Sequence, residues 1–329
     1  MPDGSDDITI AVVERLAEVE RDAWDRCAGA DNPFVSYDFL SCLEDSGCIA
    51  PETGWTARHL IIKDGAGDLL AAAPTYLKGH SMGEYVFDQG WAQAFERAGG
   101  HYYPKLLTAV PFTPATGPRL LVRGDLPDSL KRALKRQLAG ALAGIVEDAG
   151  LSSAHVNFID DDDAQVLHEA GFVPRVGLQY HWKNNNFDSY DDFLGELTSR
   201  KRKALKKERR AVAETDITIE HLSGDAITEH HWDAMYGFYM DTGQRKWGRP
   251  YLNREFFRLL GERMGDRVLL IVAKRDEQVI AGALNLIGED ALYGRYWGCS
   301  EDVAFLHFEL CYHQAIEAAI ARGLGRVEA

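Results

Sequence analysis

YYPKLLTAVPFTPATGPRLLV, residues 102–122, is the stretch from which the rest of the chain is read. A β-type run, Leu106 to Val110, leads into Pro111-Phe112-Thr113-Pro114-Ala115-Thr116-Gly117-Pro118. Its three prolines exclude both a helix and a central strand, so the segment is a shaped loop. Thr113, Thr116, the permissive Gly117 and the cation Arg119 stand on that stiff backbone just before a long amphipathic segment, Pro127 to Ala149. A loop between a strand end and a helix start is a place where phosphate-bearing ligands are held. The same residues also read as a proline-stiffened turn whose Arg119 pairs with a surface carboxylate.

With 329 residues, 46% hydrophobic and 26% charged, the chain has the composition of a globular protein. Its length suits two domains of about 165 residues each. The N-terminus, MPDGSDDITIAVVERL, carries acids where a signal peptide has Lys or Arg, and nowhere do about 18 apolar residues run together. The expectation is a cytoplasmic protein with no membrane insertion. Cys27, Cys42, Cys48, Cys299 and Cys311 are an odd set without CxxC spacing and fit the role of small buried hydrophobes; no metal is implied.

A net charge of −15 argues against a surface that coats nucleic acid. One segment departs from it. Residues 199–210, SRKRKALKKERR, hold eight Lys/Arg and one Glu, so this run is +7 and the remainder of the chain −22. It reads as a solvated helix, either balancing acidic neighbours or touching phosphate or RNA.

In order, Val12 to Cys27 and Asn32 to Gly47 read as helices, and residues 56–78 as a hairpin about Asp64-Gly65-Ala66-Gly67. Glu84 to Phe87 reads as a strand ending at Asp88. The long helix carries Leu130, Leu134, Leu138, Leu142 and Ile145 on one face and stops at Gly150. A strand at 154–159, a short helix at 161–170 and a strand at 173–182 close the first half, and Asn184-Asn185-Asn186 mark a boundary. The second half repeats the first. Leu270-Ile271-Val272 matches Leu60-Ile61-Ile62, and Ala281-Gly282-Ala283 matches Ala71-Ala72-Ala73, both at a separation of 210. The helix at 303–322 then corresponds to the one at 128–149. Residues 325–329 match only the start of the strand at 154–159, which predicts a second copy that stops early and a sheet edge covered by a partner chain, a strand of the first domain, or residues outside this chain.

The order hairpin, strand, loop, long helix, strand, short helix, strand resembles the Gcn5-related N-acetyltransferase (GNAT) fold, and two copies in one chain resemble the FemABX aminoacyl transferases. Three strings, 84–121, 238–257 and 293–317, are similar to the FemAB-like family of peptidoglycan biosynthesis/recognition. The resemblance covers nearly the whole chain and implies an α/β fold with mixed sheets in two tandem GNAT-like domains. They are expected at 1–183 and 184–329, the second incomplete at its C-terminus.

The resemblance further implies acyl or aminoacyl transfer to an amine acceptor, a cell-wall precursor or peptide, in the cleft between the two copies. The alternative is a non-catalytic GNAT-like module that binds such a precursor. No bound cofactor is implied; acyl-CoA or aminoacyl-tRNA is the expected co-substrate. The GNAT pyrophosphate loop, Gln/Arg-x-x-Gly-x-Gly/Ala, is absent from both halves: 111–119 offers one glycine, and 298–302 brings Glu301 and Asp302 where phosphates would sit. That favours a tRNA-borne donor, with the basic run 199–210 as its contact.

Transfer to an amine needs a base, oxyanion donors and an acid for the leaving group. Asp88, Glu309 and Tyr296 are the candidate catalytic residues. Tyr102, Tyr103, Lys105, Thr113, Thr116, Gly117, Arg119, Arg245, Trp247, Tyr251, Trp297 and His307 are the candidate binding residues. Glu309 with His313 at i+4 also reads as a plain surface pair, and the aromatic residues as core packing with satisfied polar tips.

Overall fold

The computed structural model describes residues 8–247 and 250–328, apart from the side chains of 244–247. The chain divides into two compact units, Met1–Gly177 and Leu178–Ala329.

The first unit opens with a strand, β1 (Thr9–Val13), and not with the expected helix from Val12; α1 runs Arg21–Ala28. Ile10, Val12 and Val13 are β-branched and fit a pleat, and β1 pairs antiparallel with β3 (His59–Lys63). α2 (Tyr37–Asp45) starts where the Ser36 side chain accepts from Phe39 N. The hairpin is split lengthwise, its first arm forming β2 (Trp55–Ala57) and β3, its second β4 (Leu69–Ala73) and β5 (Thr75–Lys78). Then come α3 (Gln89–Arg97), β6 (Lys105–Thr108), β7 (Leu121–Val122), α4 (Asp128–Asp148), β8 (Ala154–Val156) and α5 (Asp161–Glu169). Two four-stranded sheets result, ordered β1-β3-β4-β7 and β2-β5-β6-β8. Leu134, Leu138 and Leu142 of α4 are fully buried against Leu60, Ile62, Leu106, Leu120 and Val166. This is the apolar face that the leucine spacing specifies.

The second unit holds β9 (His181–Lys183), α6 (Tyr190–Glu196), α7 (Ser199–Ala213), β10 (Ile217–Leu222), α8 (Glu229–Trp247), α9 (Arg254–Met264), β11 (Val268–Arg275), β12 (Gln278–Ile287) and β13 (Ala291–Cys299). Beyond them lie α10 (Leu306–Phe308), a π-helical turn (Glu309–His313), α11 (Gln314–Ala321) and β14 (Arg326–Glu328). One sheet orders the strands β10-β11-β12-β13-β14-β9. The hairpins of the two units pair one residue out of step at the separation of 210: Ile61 faces Ala72, whereas Ile271 faces Ala283.

The strand expected at 173–182 is the largest difference. Residues 172–180 form no strand, and His181–Lys183 lies antiparallel to β14, inside the second unit's sheet. The edge of β14 is thus covered by residues assigned from sequence to the first domain, and the units divide before Asn184.

Candidate acceptor site

In the first unit, Lys78 on β5 and Lys105 on β6 are register partners. Their side chains therefore leave the sheet on one face, directly opposite each other, where like charges repel. Both lysines are fully buried. Charges so placed need counter-charges, and the segment between β5 and α3 supplies them.

That segment is not the expected strand at 84–87. Gly83 (φ +80°) and Tyr85 (φ +55°) turn it so that Glu84 and Asp88 are buried while Tyr85 and Phe87 stay exposed. A Cβ at Gly83 would strike the Phe112 ring at 2.6 Å, so only glycine fits that turn. Lys105 Nζ donates to Glu84 Oε2 (2.8 Å), Asp88 Oδ2 (2.5 Å) and Ser81 Oγ (2.9 Å). Tyr102 donates its hydroxyl to Asp88 Oδ2 (2.8 Å), and Ser81 and Tyr103 share a hydrogen bond of 2.9 Å. Lys78 Nζ sits 3.6 Å from the centroid of the Trp55 ring and donates weakly to the Gly54 and Met82 carbonyls (3.4 and 3.3 Å).

Two acceptors are left over. Among the described residues, neither Glu84 Oε1 nor Asp88 Oδ1 receives a hydrogen bond, and both are buried. A buried acceptor without a donor costs about 1–3 kcal/mol, and more when charged, so the pair marks a place where donors belong.

Burial lowers Lys78 to about 7, with the Lys105 charge adding to the effect. Burial also raises the Glu84 carboxyl, outweighing Lys105. For Asp88 burial pushes upward too, but hydrogen bonds from Lys105, Ser81 and Tyr102 hold its carboxyl below the ordinary value. The parallel strand β8 adds His155, register partner of Leu107, with Ser153 Oγ 2.9 Å from its Nε2. Burial, followed by Lys105, lowers His155 to about 4, so it is neutral at pH 7.

The loop at 113–119 behaves differently from the expectation of a ligand loop. Arg119 faces no cleft: it is fully buried, and its guanidinium donates to the Ala115 and Pro118 carbonyls (2.6 and 2.9 Å), clamping its own loop. Thr113 and Gly117 are buried too, and a Cβ at Gly117 would collide with Asn32, which bonds the Thr116 carbonyl. The consecutive amides of Arg119 and Leu120, a potential anion nest, are both taken by Asp163 Oδ2 (2.6 and 2.9 Å). A groove of about 620 Å³ opens beside the start of α4, but its Lys131 and Lys135 are paired with Asp128 and with Asp162 and Asp163. The loop is a structural clasp, because its own carbonyls and the carboxylates of α4 and α5 consume the groups that would hold a phosphate.

In the second unit, Tyr296 packs edge-on to Tyr239 (5.1 Å), whose hydroxyl accepts from the Tyr251 and Leu252 amides. Trp297 and His307 meet edge to face at 5.2 Å. Glu309 is neither a poised base nor half of a surface pair with His313. Arg209 of α7 donates to both its oxygens (3.0–3.2 Å) and Gln314 Nε2 to one (2.7 Å), while His313 Nδ1 lies 2.6 Å from the Tyr190 hydroxyl. Both residues are buried. Arg245 and Trp247 fall where α8 ends, and their side chains lie outside the described residues. Burial drives the Cys27 and Cys311 thiols up to about 12, which keeps them unreactive.

Asp88, Tyr102, Tyr103 and Lys105 therefore come together, and Lys78, Ser81, Glu84 and His155 join them without having been read from sequence. Among the described residues no helix is long and apolar enough to cross a membrane, and no group of three His, Cys, Asp or Glu is arranged to hold a metal.

Residues 15–329 match the family described as FemAB-like, peptidoglycan biosynthesis/recognition. No curated protein matches the chain. Among solved structures, the C-terminal domain of a putative lysylphosphatidylglycerol synthetase from Agrobacterium fabrum is 12% identical with a TM-score of 0.56, covering 96% of this chain and 79% of that one. FemX is 13% identical with a TM-score of 0.52, covering 98% and 88%. L-PGS from Bacillus licheniformis is 10% identical with a TM-score of 0.52, covering 91% and 76%. At these identities the likeness concerns the fold, which is that of two GNAT-like units in tandem.

Proposed function

Because the chain belongs to the FemAB-like family of peptidoglycan biosynthesis/recognition, we propose that it transfers an acyl or aminoacyl group to an amine, with the Lys105 cluster of the first unit as the acceptor site. The observation that carries this reading is the pair of buried carboxylate oxygens, Glu84 Oε1 and Asp88 Oδ1, that lack donors. An incoming ammonium supplies them. Asp88, held low, stays ionised and orients the nitrogen; Glu84, held high, and Lys78, near 7, are matched to receive its proton. The freed amine attacks the acyl carbonyl, the carbon–nitrogen bond forms and the bond to the donor's oxygen or sulfur breaks; the nitrogen's second proton passes to that leaving atom, and the proton first taken by Glu84 or Lys78 is released to solvent.

For the donor, Arg200, Lys201, Lys203, Lys207 and Arg210 on α7 make no ion pair among the described residues, which suits an RNA-borne ester. The alternative, a non-catalytic module that binds the precursor, draws on the complete burial of Lys78 and Lys105, which also fits a structural salt network. Incubating the protein with aminoacyl-tRNA or acyl-CoA and a set of amines, with products read by mass spectrometry, separates the two. A transferase gives the acylated amine, reduced about 10²–10⁴-fold by Glu84→Gln; a binding module gives none.

A further inference from the structure

The second of the first unit's two sheets, β2-β5-β6-β8, ends at β8, and that edge is open among the described residues. Leu106 N donates to Ser153 O and Asn157 N donates to Thr108 O. In a parallel ladder that pattern turns the backbone groups of Ser153, His155 and Asn157 toward β6 and leaves the N–H and C=O of Ala154 and Val156 facing outward. The second unit shows what such an edge accepts. There β14, which also comes after a long helix and also pairs parallel with the strand before it, carries the three-residue strand β9 antiparallel on its outer side.

We infer that the outer edge of β8 binds the amine acceptor as an extended peptide, added antiparallel as a further strand through Ala154 and Val156. This deepens the proposed transfer reaction and rests on it. Three observations favour a peptide bearing an amine over other occupants. The outward-facing groups are main-chain donors and acceptors, which recognise an extended backbone. A residue placed opposite His155 projects its side chain onto the sheet face that carries Ser153, His155 and Lys105. That face ends in the two donor-less carboxylate oxygens, whose charge matches an ammonium. Two strand spacings, about 10 Å, separate an added strand from β6, within reach of a long amine side chain.

The test uses the full chain and a pentapeptide with a central lysine. Three derivatives accompany it, N-methylated on both residues flanking the lysine, N-methylated on the lysine itself, and acetylated on the lysine side chain. With the lysine opposite His155, the flanking amides face Ala154 and Val156. Flank methylation is therefore expected to weaken binding at least tenfold, methylation of the lysine nitrogen to change it less than twofold, and acetylation to weaken it severalfold. Amide exchange should slow at Ala154 and Val156 on peptide binding. Equal affinity of both N-methylated peptides, or protection confined to other segments, overturns the inference. So does protection of Ala154 and Val156 without peptide in a concentration-dependent dimer, which would make a second copy the occupant. If simple amines are acylated but the peptide leaves β8 unprotected, this inference alone fails. If the peptide protects β8 but no amine is acylated, the transferase reading fails.

Discussion

Lys78 places an ammonium 3.6 Å from the Trp55 ring centre in a site from which water is excluded, and the two circumstances pull its charge in opposite directions. Burial wins, bringing its pKa from 10.5 down to about 7. Between those values the unfolded chain holds one proton more than the native one, so stability rises with pH across the window from about 7 to about 10 and the penalty is complete below it. Lys78→Met should flatten that rise and be more stable than the parent at pH 7, as thermal melts at pH 7 and pH 9.5 would show; an unchanged slope counts against the burial argument. Lys105 is the opposite case. Removing it leaves Glu84 and Asp88 buried without their hydrogen-bonded cation, so Lys105→Met should cost about 3–5 kcal/mol in urea unfolding. Adding Glu84→Gln and Asp88→Asn to Lys105→Met should return part of that loss. If the single variant melts like the parent, the cluster is solvated and not buried.

At the scale of elements, the π-helical turn at Glu309–His313 is where α7 is fastened. Arg209 reaches from α7 to Glu309 and Glu317 and lies over the Tyr190 ring at 4.6 Å. Arg209→Met should therefore cost about 2–4 kcal/mol, less than a fully buried pair because the guanidinium is partly exposed. It should speed amide exchange through 199–213 while leaving β11–β13 unchanged; unaltered exchange in α7 would show that Leu205 and Val212 hold the helix alone. The sequence foretold these elements unevenly. Leucines at helical spacing announced α4, and the apolar runs about an acidic turn announced both hairpins, because core periodicity is written in side-chain type. The segment at 84–87 reads as a strand by composition, yet its path is set by Gly83 and Tyr85 in the left-handed region, which composition does not encode for a tyrosine. For the same reason Glu84 was not legible as Lys105's partner, and Lys78 passed as the polar end of an apolar strand. Arg119 was legible as important, but only the structure shows its guanidinium turned back on the Ala115 and Pro118 carbonyls.

For the molecule as a whole, the sequence-level boundary at Asn184 fails because strand pairing, and not repeat length, decides where a sheet ends. β9 is donated from the far side of that boundary, and Asn184 N bonds the Gly325 carbonyl (2.8 Å) in the same ladder. Trp182→Pro removes a ladder donor opposite Val327 and should raise hydrogen exchange through 291–299 and 326–328, with the strands of the first unit keeping their protection; uniform loss in both units would show that they unfold as one. The proposed role of the Lys105 cluster is to hold an amine between Glu84 and Asp88, with Asp88 orienting the nitrogen and Glu84 and Lys78 receiving its proton. Its most direct test is single-turnover acyl transfer by the wild type, Glu84→Gln and Asp88→Asn, each checked by circular dichroism for a folded state. Rates are expected to fall at least about a hundredfold in both folded variants; folded variants that transfer at the wild-type rate would rule out the Lys105 cluster as the amine site.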